Sequence, residues 1–149
     1  MPELQKPEPL KDYNHLTPHR VVWGDMDSMR HVNNTRYFYY CETARLDFIH
    51  ALSLQLGSGD VNTLHPSIAL AETGCRFKVS LTFPDEILIG SGIQGIEETQ
   101  FVVKHLIYSN KHTCVAAEAT ARMVMFDFKA GKRVPIPDDL IQLLNQHAV

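Results

Sequence analysis

Residues 24–34 read Gly-Asp-Met-Asp-Ser-Met-Arg-His-Val-Asn-Asn, and residues 35–56 follow without a proline or a glycine. Either asparagine at the end of the quoted stretch is a good helix N-cap, because its side-chain oxygen accepts from the free amides of the first turn. The stretch therefore predicts a polar loop that runs into a long helix, which Gly57 ends. Apolar residues recur at the spacing of one helix face, at Tyr37, Cys41, Ala44, Phe48 and Leu52.

Four further apolar residues widen that face of the helix: Tyr40, Leu46, Ile49 and Leu56. An apolar surface of this width predicts a helix that is covered on more than one side.

The flanking segments alternate with the period of two that is typical of strands. The last of them places a row of mostly small side chains on one face, namely Val115, Ala117, Ala119, Ala121, Met123 and Met125. Such a row predicts a sheet that lies close against the helix. The predicted strands span residues 17–23, 69–83, 87–93, 101–108 and 113–126, and a short helix spans 138–146.

This order of elements predicts an α+β fold, in which a curved five-stranded antiparallel sheet wraps a long central helix and a short C-terminal helix follows. With 149 residues the chain is expected to form a single domain over residues 1–149. Residues 1–16 carry several prolines and predict a polar N-terminal arm.

Composition excludes several classes of protein. Fourteen Lys and Arg against seventeen Asp and Glu give a net charge of −3, which disfavours a nucleic-acid-binding surface. No apolar run has the length of a membrane span, and the N-terminus lacks the apolar core of a signal peptide. Cys41, Cys75 and Cys114 have neither disulfide-framework nor zinc-site spacing. We therefore expect a cytoplasmic protein with free thiols and no membrane or nucleic-acid partner.

The loop before the helix concentrates chemistry, because two carboxylates, an imidazole and two amides fall within ten residues. A helix N-terminus presents free amides and partial positive charge that polarise a carbonyl. A nearby carboxylate can attack that carbon or activate water, which points to acyl hydrolysis and suits a thioester. Three alternatives stay open: Asp25 as a structural residue, Asp27 as a turn or cap, and a divalent metal on Asp25, Asp27 and His31.

The loop and helix resemble a known family. The run Gly24-Asp25-Met26-Asp27, then His31-Val32-Asn33-Asn34, Tyr37, Tyr40, Glu42, Ala44-Arg45 and Phe48, is similar to the opening signature of hotdog-fold thioesterases. The match is to the 4-hydroxybenzoyl-CoA thioesterase-like branch, which includes acyl-CoA thioesterases and is related to plant acyl-ACP thioesterases. The resemblance implies a hotdog fold, thioester hydrolysis in fatty acid metabolism without metal or cofactor, and a homodimer or homotetramer.

The resemblance also assigns roles. Asp27 falls at the catalytic carboxylate, as nucleophile or general base, and the Asn34 amide falls where the family polarises the thioester carbonyl. His31 matches the histidine of the acyl-ACP branch and is the third catalytic candidate, which would orient the site or else only pack under the loop. Met29 stands where that branch has an asparagine. The acyl group would enter a groove between protomers, lined by Tyr37, Cys41 and the partner's second strand, which contains Thr73. The turn residues Lys132 and Arg133 are candidates to meet the phosphates of CoA.

Two other functions remain in view. A hotdog hydratase or dehydratase would act on an enoyl-CoA without releasing thiol, and such enzymes pair a histidine with an acid in another arrangement. A non-catalytic module would bind acyl-thioesters without turnover.

Overall fold

The computed structural model of the protein describes residues 5–57 and 67–149. One curved antiparallel sheet holds the long helix on its inner face, with strand order β1-β3-β4-β5-β2 and a two-residue strand, β6, paired to the end of β5. The predicted hotdog fold is confirmed. The strands are β1 (His15–Val21), β2 (Ser67–Phe77), β3 (Asp85–Ile96), β4 (Gln100–Ser109), β5 (Cys114–Asp127) and β6 (Lys132–Arg133), and the helices are α1 (Asn34–Gln55) and α2 (Asp138–Asn145).

The inner faces of β4 and β5 form the floor on which α1 lies. Five residues of the predicted β5 row, at alternate positions from Ala117 to Met125, are buried. The sixth, Val115, is not part of this floor, because a register shift between Ile107 and Tyr108 turns it to the outer face. The buried side chains of this row share the core with the inward face of the helix.

The helix begins as predicted. The Asn33 side chain accepts hydrogen bonds from the Thr35 amide and hydroxyl, both at 2.9 Å. The expectation that Leu46 belongs to the apolar surface is wrong, since 45% of this side chain is exposed. Leu46 lies on the side of α1 turned away from the sheet.

The strand predicted over residues 69–83 is shorter in the structure, because β2 ends at Phe77. The Lys78 and Val79 amides both donate to the Ala116 carbonyl of β5, and the chain then leaves the sheet and crosses the start of α1. The Leu81 amide donates to the Tyr37 hydroxyl at 3.0 Å, and the Leu81 carbonyl accepts from the Val32 amide at 2.8 Å. These two bonds replace the ladder bonds that a longer strand would make.

The N-terminal segment also differs from the predicted polar arm, of which residues 1–4 lie outside the described residues. Strand β1 starts at His15 and ends at Val21, two residues earlier at both ends than predicted. Before it, Leu10 and Tyr13 are buried on the outer face of the sheet. A Cβ at Gly90 would lie 2.9 Å from a side-chain atom of each, so this segment packs where β3 has no side chain.

The two edges of the sheet are covered differently. Strand β1 packs beside α1, where Thr17 Oγ1 donates to Asp47 Oδ2 at 2.7 Å. Strand β2 pairs with β5 on one side, and all eleven of its residues are at least partly exposed. Within residues 5–57 and 67–149, the β2 edge is therefore the open side of the fold.

Candidate active site

Asp25 lies near the start of the loop between β1 and α1. Its Oδ2 accepts hydrogen bonds from the Val22 amide at 3.0 Å and from the Tyr40 hydroxyl at 2.7 Å. Its carbonyl accepts from the Asn33 amide at 2.9 Å, and the Arg36 guanidinium lies 3.8 Å from Oδ1. Burial and the bond to Asp25 raise the pKa of Tyr40, which keeps this donor protonated. Asp25 therefore joins the loop to the helix, which is a structural role.

Asp27 lies two residues later in the same loop and is exposed. Its Oδ1 accepts from the Met29 amide at 2.9 Å, and its backbone closes a tight turn with Arg30 and His31. Arg30 has a φ of 61°, in the left-handed region, as such a turn requires. Among the described residues, Oδ2 has no hydrogen-bond partner. The turn role and a chemical role are therefore compatible, because they use different oxygens.

The N-terminus of α1 faces the same space as Asp27. Asn33 caps the Thr35 amide, whereas in the described part of the chain the Asn34 amide has no partner. Free amides at a helix start carry partial positive charge and bind a carbonyl oxygen or an oxyanion.

A cleft of about 370 Å³ lies between the loop, the helix start and the segment that follows β2. It brings together four of the residues singled out from the sequence: Asp27, His31, Asn34 and Tyr37. The other lining residues are Met29, Val32, Asn33, Phe77, Lys78, Val79 and Ser80.

Tyr37 forms the inner wall of the cleft. Its hydroxyl accepts from the Leu81 amide and donates to the Val79 carbonyl at 3.4 Å, and its ring meets Phe77 edge-on at 5.0 Å. Burial raises the pKa of Tyr37, so the phenol stays protonated. Tyr37 therefore fixes the segment after β2 against the helix and gives the cleft a firm wall.

Cys41 lies one helical turn beyond Tyr37, below the cleft, and is 2% exposed. Burial raises the pKa of its thiol to about 12. The neutral side chain packs with Tyr37 and Ala44 in the core, next to Cys75 of β2. Cys41 is thus a small apolar contact rather than a nucleophile.

The remaining predicted binding residues lie away from this cleft within one chain. The Thr73 hydroxyl donates to the Thr120 carbonyl at 2.9 Å on the edge of the sheet. Lys132 and Arg133 pair with the end of β5 on the side opposite to the start of β2. The cleft adjoins the other end of β2. The ten residue steps from Ser67 to Phe77 therefore place Lys132 and Arg133 about 33 Å from the cleft, at ~3.3 Å per residue.

Sequence reasoning missed the wall formed by residues 77–80, because the strand pattern continued past Phe77. Lys78 is the clearest example: it lines the cleft, and its Nζ lies 3.0 Å from Glu118 Oε1. That hydrogen bond lowers the pKa of Glu118. No sequence signal distinguished Lys78 from an ordinary outward-facing strand residue.

Within residues 5–57 and 67–149, no three His, Cys, Asp or Glu side chains group closely enough to hold a metal ion. In the same residues, no helix is long and apolar enough to cross a membrane.

Comparison with known proteins gives a family match over most of the chain. The model of the thioesterase-like superfamily matches residues 21–144. A curated protein of Aquifex aeolicus (strain VF5), named as an esterase of unproven activity, is 22% identical over 125 residues, covering 84% of this chain and 93% of that protein.

Solved structures share the fold at low sequence identity. A predicted thioesterase from Bacillus stearothermophilus has a TM-score of 0.78 and 21% identity, over 90% of this chain and 96% of that one. A thioesterase from Thermus thermophilus, solved with coenzyme A and zinc, has a TM-score of 0.72 and 21% identity, over 87% of this chain and 96% of that one.

Proposed function

This chain belongs to the thioesterase-like superfamily, and we propose that it hydrolyses an acyl-CoA thioester to the free acid and CoA. The family match confirms the expected enzyme class, a thioester hydrolase. The observation that carries the proposal for this chain is the meeting of the Asp27 carboxylate and the α1 N-terminus in one cleft.

The thioester carbonyl oxygen accepts a hydrogen bond from the Asn34 amide, and the helix dipole stabilises the negative charge that grows on it. Asp27 acts through Oδ2, the oxygen that the turn leaves free. As a general base it takes a proton from water, whose oxygen attacks the carbonyl carbon. As a nucleophile it forms an anhydride that water then cleaves. In both routes the carbon–sulfur bond breaks and CoA leaves as a thiolate, which is then protonated.

His31 and Tyr37 complete the cleft without taking part in bond breaking. The His31 side chain lines the cleft next to Asp27 and orients the substrate or water there. Tyr37 shapes the entry of the acyl group, and Cys41 supports it from the core below the cleft. No cofactor is required for this chemistry.

A second copy of the chain is proposed to complete the site, as a homodimer or as a pair of dimers. The support is the open β2 edge, since exposed edges pair readily with another strand. If two β2 strands pair antiparallel, the partner's Ser67 lies beside Phe77, and Thr73 of each copy lies in the shared groove. The partner's Arg133 then lies about three strand spacings away, ~14 Å, within reach of the phosphates of a bound CoA.

Thiol release from acyl-CoAs tests this proposal. A thiol-reactive dye follows short, medium, long and aromatic acyl-CoAs with the wild type, with Asp27→Asn and with Asp12→Asn as a matched control. Asp12 is an exposed acid outside the cleft. We expect release by the wild type and the control, and loss in Asp27→Asn, whose amide oxygen still accepts from Met29. Equal rates in Asp27→Asn would contradict the assigned role.

Two alternative outcomes identify the other functions. Hydration of an enoyl-CoA without thiol release would indicate a hydratase. Binding of acyl-CoA that neither releases thiol nor depends on Asp27 would indicate an acyl-binding module.

A further inference from the structure

A further cavity, of about 480 Å³, lies on the outer face of the sheet. Side chains of β5 alternate between the helix and the outer face, and the alanine row takes the inner positions. Thr120 lies between two of these alanines and therefore points outward, and the ladder places Lys104 of β4 and Gly74 of β2 on either side of it. The lining of this outer-face cavity includes Gly74, Arg76, Gln94, Lys104, Glu118 and Thr120. None of these residues lines the cleft.

Gly74 leaves the middle of the outer-face cavity open. A glycine inside a strand weakens it and often marks a bulge or the close approach of a ligand. The bulge of β2 lies elsewhere, between Leu70 and Glu72. Apart from its chain neighbours, nothing in the described structure lies within 4 Å of a Cβ placed at Gly74, and its φ is outside the left-handed region. Neither backbone conformation nor packing therefore requires a glycine here, and a larger residue would fill the cavity.

Two cations of the cavity have no partner within residues 5–57 and 67–149. Neither Arg76 nor Lys104 forms an ion pair or a side-chain hydrogen bond in that part of the chain. Glu118, the acid on the lining, is already paired with Lys78 at 3.0 Å. That hydrogen bond, with the nearby charges of Lys78, Lys104 and Arg76, lowers the pKa of Glu118. Three cations therefore surround one carboxylate, although the chain as a whole has a net charge of −3.

The groups around this space fit a phosphate. A guanidinium donates to two oxygens at once and an ammonium adds a compact positive charge, so Arg76 and Lys104 together match a phosphate in charge and in oxygens. The Thr120 hydroxyl and the Gln94 amide add uncharged donors. A carboxylate, with a single charge, would leave one of the two cations unpaired.

We propose that the outer-face cavity binds a phosphate group, which Arg76 and Lys104 hold above Gly74. The cavity adjoins the cleft, because Lys78 lines the cleft and its partner Glu118 lines the cavity. The phosphate belongs either to a CoA thioester whose acyl end lies in the cleft or to a free nucleotide. Only the first of these sources rests on the proposed function.

Calorimetric titration at low salt tests the site with CoA, with ADP and with pantetheine, which has the thiol arm of CoA without its phosphates. The variants are Lys104→Gln, which removes one cation, and Gly74→Val, which fills the cavity. The matched controls are Arg20→Gln, at an exposed cation on the opposite edge of the sheet, and Gly95→Val, at a glycine that also has open space around it and does not line the cavity. Circular dichroism and gel filtration confirm that each variant is folded and assembles as the wild type does.

We expect CoA, ADP or both to bind the wild type and the two controls equally. In Lys104→Gln the affinity for the phosphate-bearing ligand should fall at least about tenfold, as for loss of a hydrogen bond to a charged group. In Gly74→Val that binding should be lost, and any binding of pantetheine should stay unchanged. Wild-type affinity in a folded Lys104→Gln overturns the inference even if Gly74→Val does not fold. So does an equal loss in the controls, or a wild type that binds neither CoA nor ADP.

Competition between the ligands identifies the source of the phosphate. If saturating CoA displaces ADP and both variants weaken CoA binding, the phosphate is that of the substrate. If ADP binds equally well beside CoA and the variants weaken ADP alone, the ligand is a free nucleotide. Thiol release is measured separately. A wild type that binds phosphate in this cavity but releases no thiol contradicts the proposed function and leaves the phosphate site in place.

Discussion

Asp25 and Asp27 stand two residues apart and have opposite surroundings. Asp25 is 8% exposed and accepts from Val22 and Tyr40 through one oxygen. Asp27 is exposed and makes one side-chain bond, to the Met29 amide. The comparison shows that one loop can hold a carboxylate with a structural role and another that is available for chemistry. The acid that holds the loop to the helix is buried and saturated, and the acid proposed to react keeps an oxygen free.

The largest effect should come from Asp27→Asn, which preserves the turn and removes the basic oxygen. We expect kcat to fall at least about 100-fold, the usual contribution of a general base. Because the side chain is exposed, the free energy of unfolding in urea should stay within about 0.5 kcal/mol of the wild type. If Asp27→Asn lowered the free energy of unfolding as well as kcat, Asp27 would have a structural role like that of Asp25.

Asp25→Ala should instead act on stability. It leaves the Val22 amide and the buried Tyr40 hydroxyl without an acceptor, and hydrogen bonds to charged groups contribute about 1.5–3 kcal/mol each. We expect a loss of about 3 kcal/mol in urea unfolding, with Asp27→Ala measured in parallel as the exposed control. If the two variants had equal free energies of unfolding, burial would not explain a difference in structural role between Asp25 and Asp27.

His105 extends the comparison from the loop to the core. It is fully buried, its Nδ1 shares a 2.9 Å hydrogen bond with Ser91, and burial lowers its pKa from 6.5 to about 3. Below pH 6.5 the unfolded chain binds a proton at His105, whereas the folded chain binds it only near pH 3. The free energy of unfolding therefore decreases as the pH is lowered from 6.5 to 3. Relative to neutral pH, we expect the free energy of unfolding to fall by about 2.7 kcal/mol at pH 4.5, at about 1.36 kcal/mol per pH unit. In a folded His105→Gln variant the free energy of unfolding should depend less on pH. An unchanged pH dependence would contradict the assignment of this effect to His105.

Asn33→Ala should give the smallest effect. It removes the cap on the Thr35 amide and should cost about 1 kcal/mol of stability. Asn33→Asp is the control, because an aspartate caps as well as an asparagine. Since Asn33 borders the cleft, a modest rise in KM with little change in kcat would match displacement of the helix start. A stability loss in Asn33→Asp equal to that in Asn33→Ala would contradict the capping role.

Much of the fold follows from the sequence because its signals are local. The Asn33 cap, the uninterrupted helix and the alanine row of β5 each specify their own element. The failures occur where the fold overrides a local pattern. Alternation continues past Phe77, but the bonds of Leu81 to Tyr37 and Val32 draw the chain out of the sheet. The burial of Leu10 depends on the absence of a side chain at Gly90, about 80 residues away, and no local pattern shows it.

The site was predictable to the extent that it lies on one segment. Asp27, His31 and Asn34 are close in sequence and meet in the cleft. Lys78 and Ser80 also line the cleft. They belong to a segment far away in sequence, which is why the sequence did not predict them as site residues. Thr73, Lys132 and Arg133 stay predictions, because their proposed contribution depends on a second copy of the chain.

The strand order has a consequence for how the molecule folds. Strands β3, β4 and β5 follow one another as hairpins, whereas β1 and β2 pair with strands far along the chain, as in Thr17 with Ile89 and Gly74 with Thr120. Contacts that close long loops form late. Truncating Val103 in β4 should therefore slow folding, whereas truncating Ile68 in β2 should mainly speed unfolding. Because β1 leads into the Asp27 loop and β2 leads into the opposite wall, we expect the cleft to form late in folding.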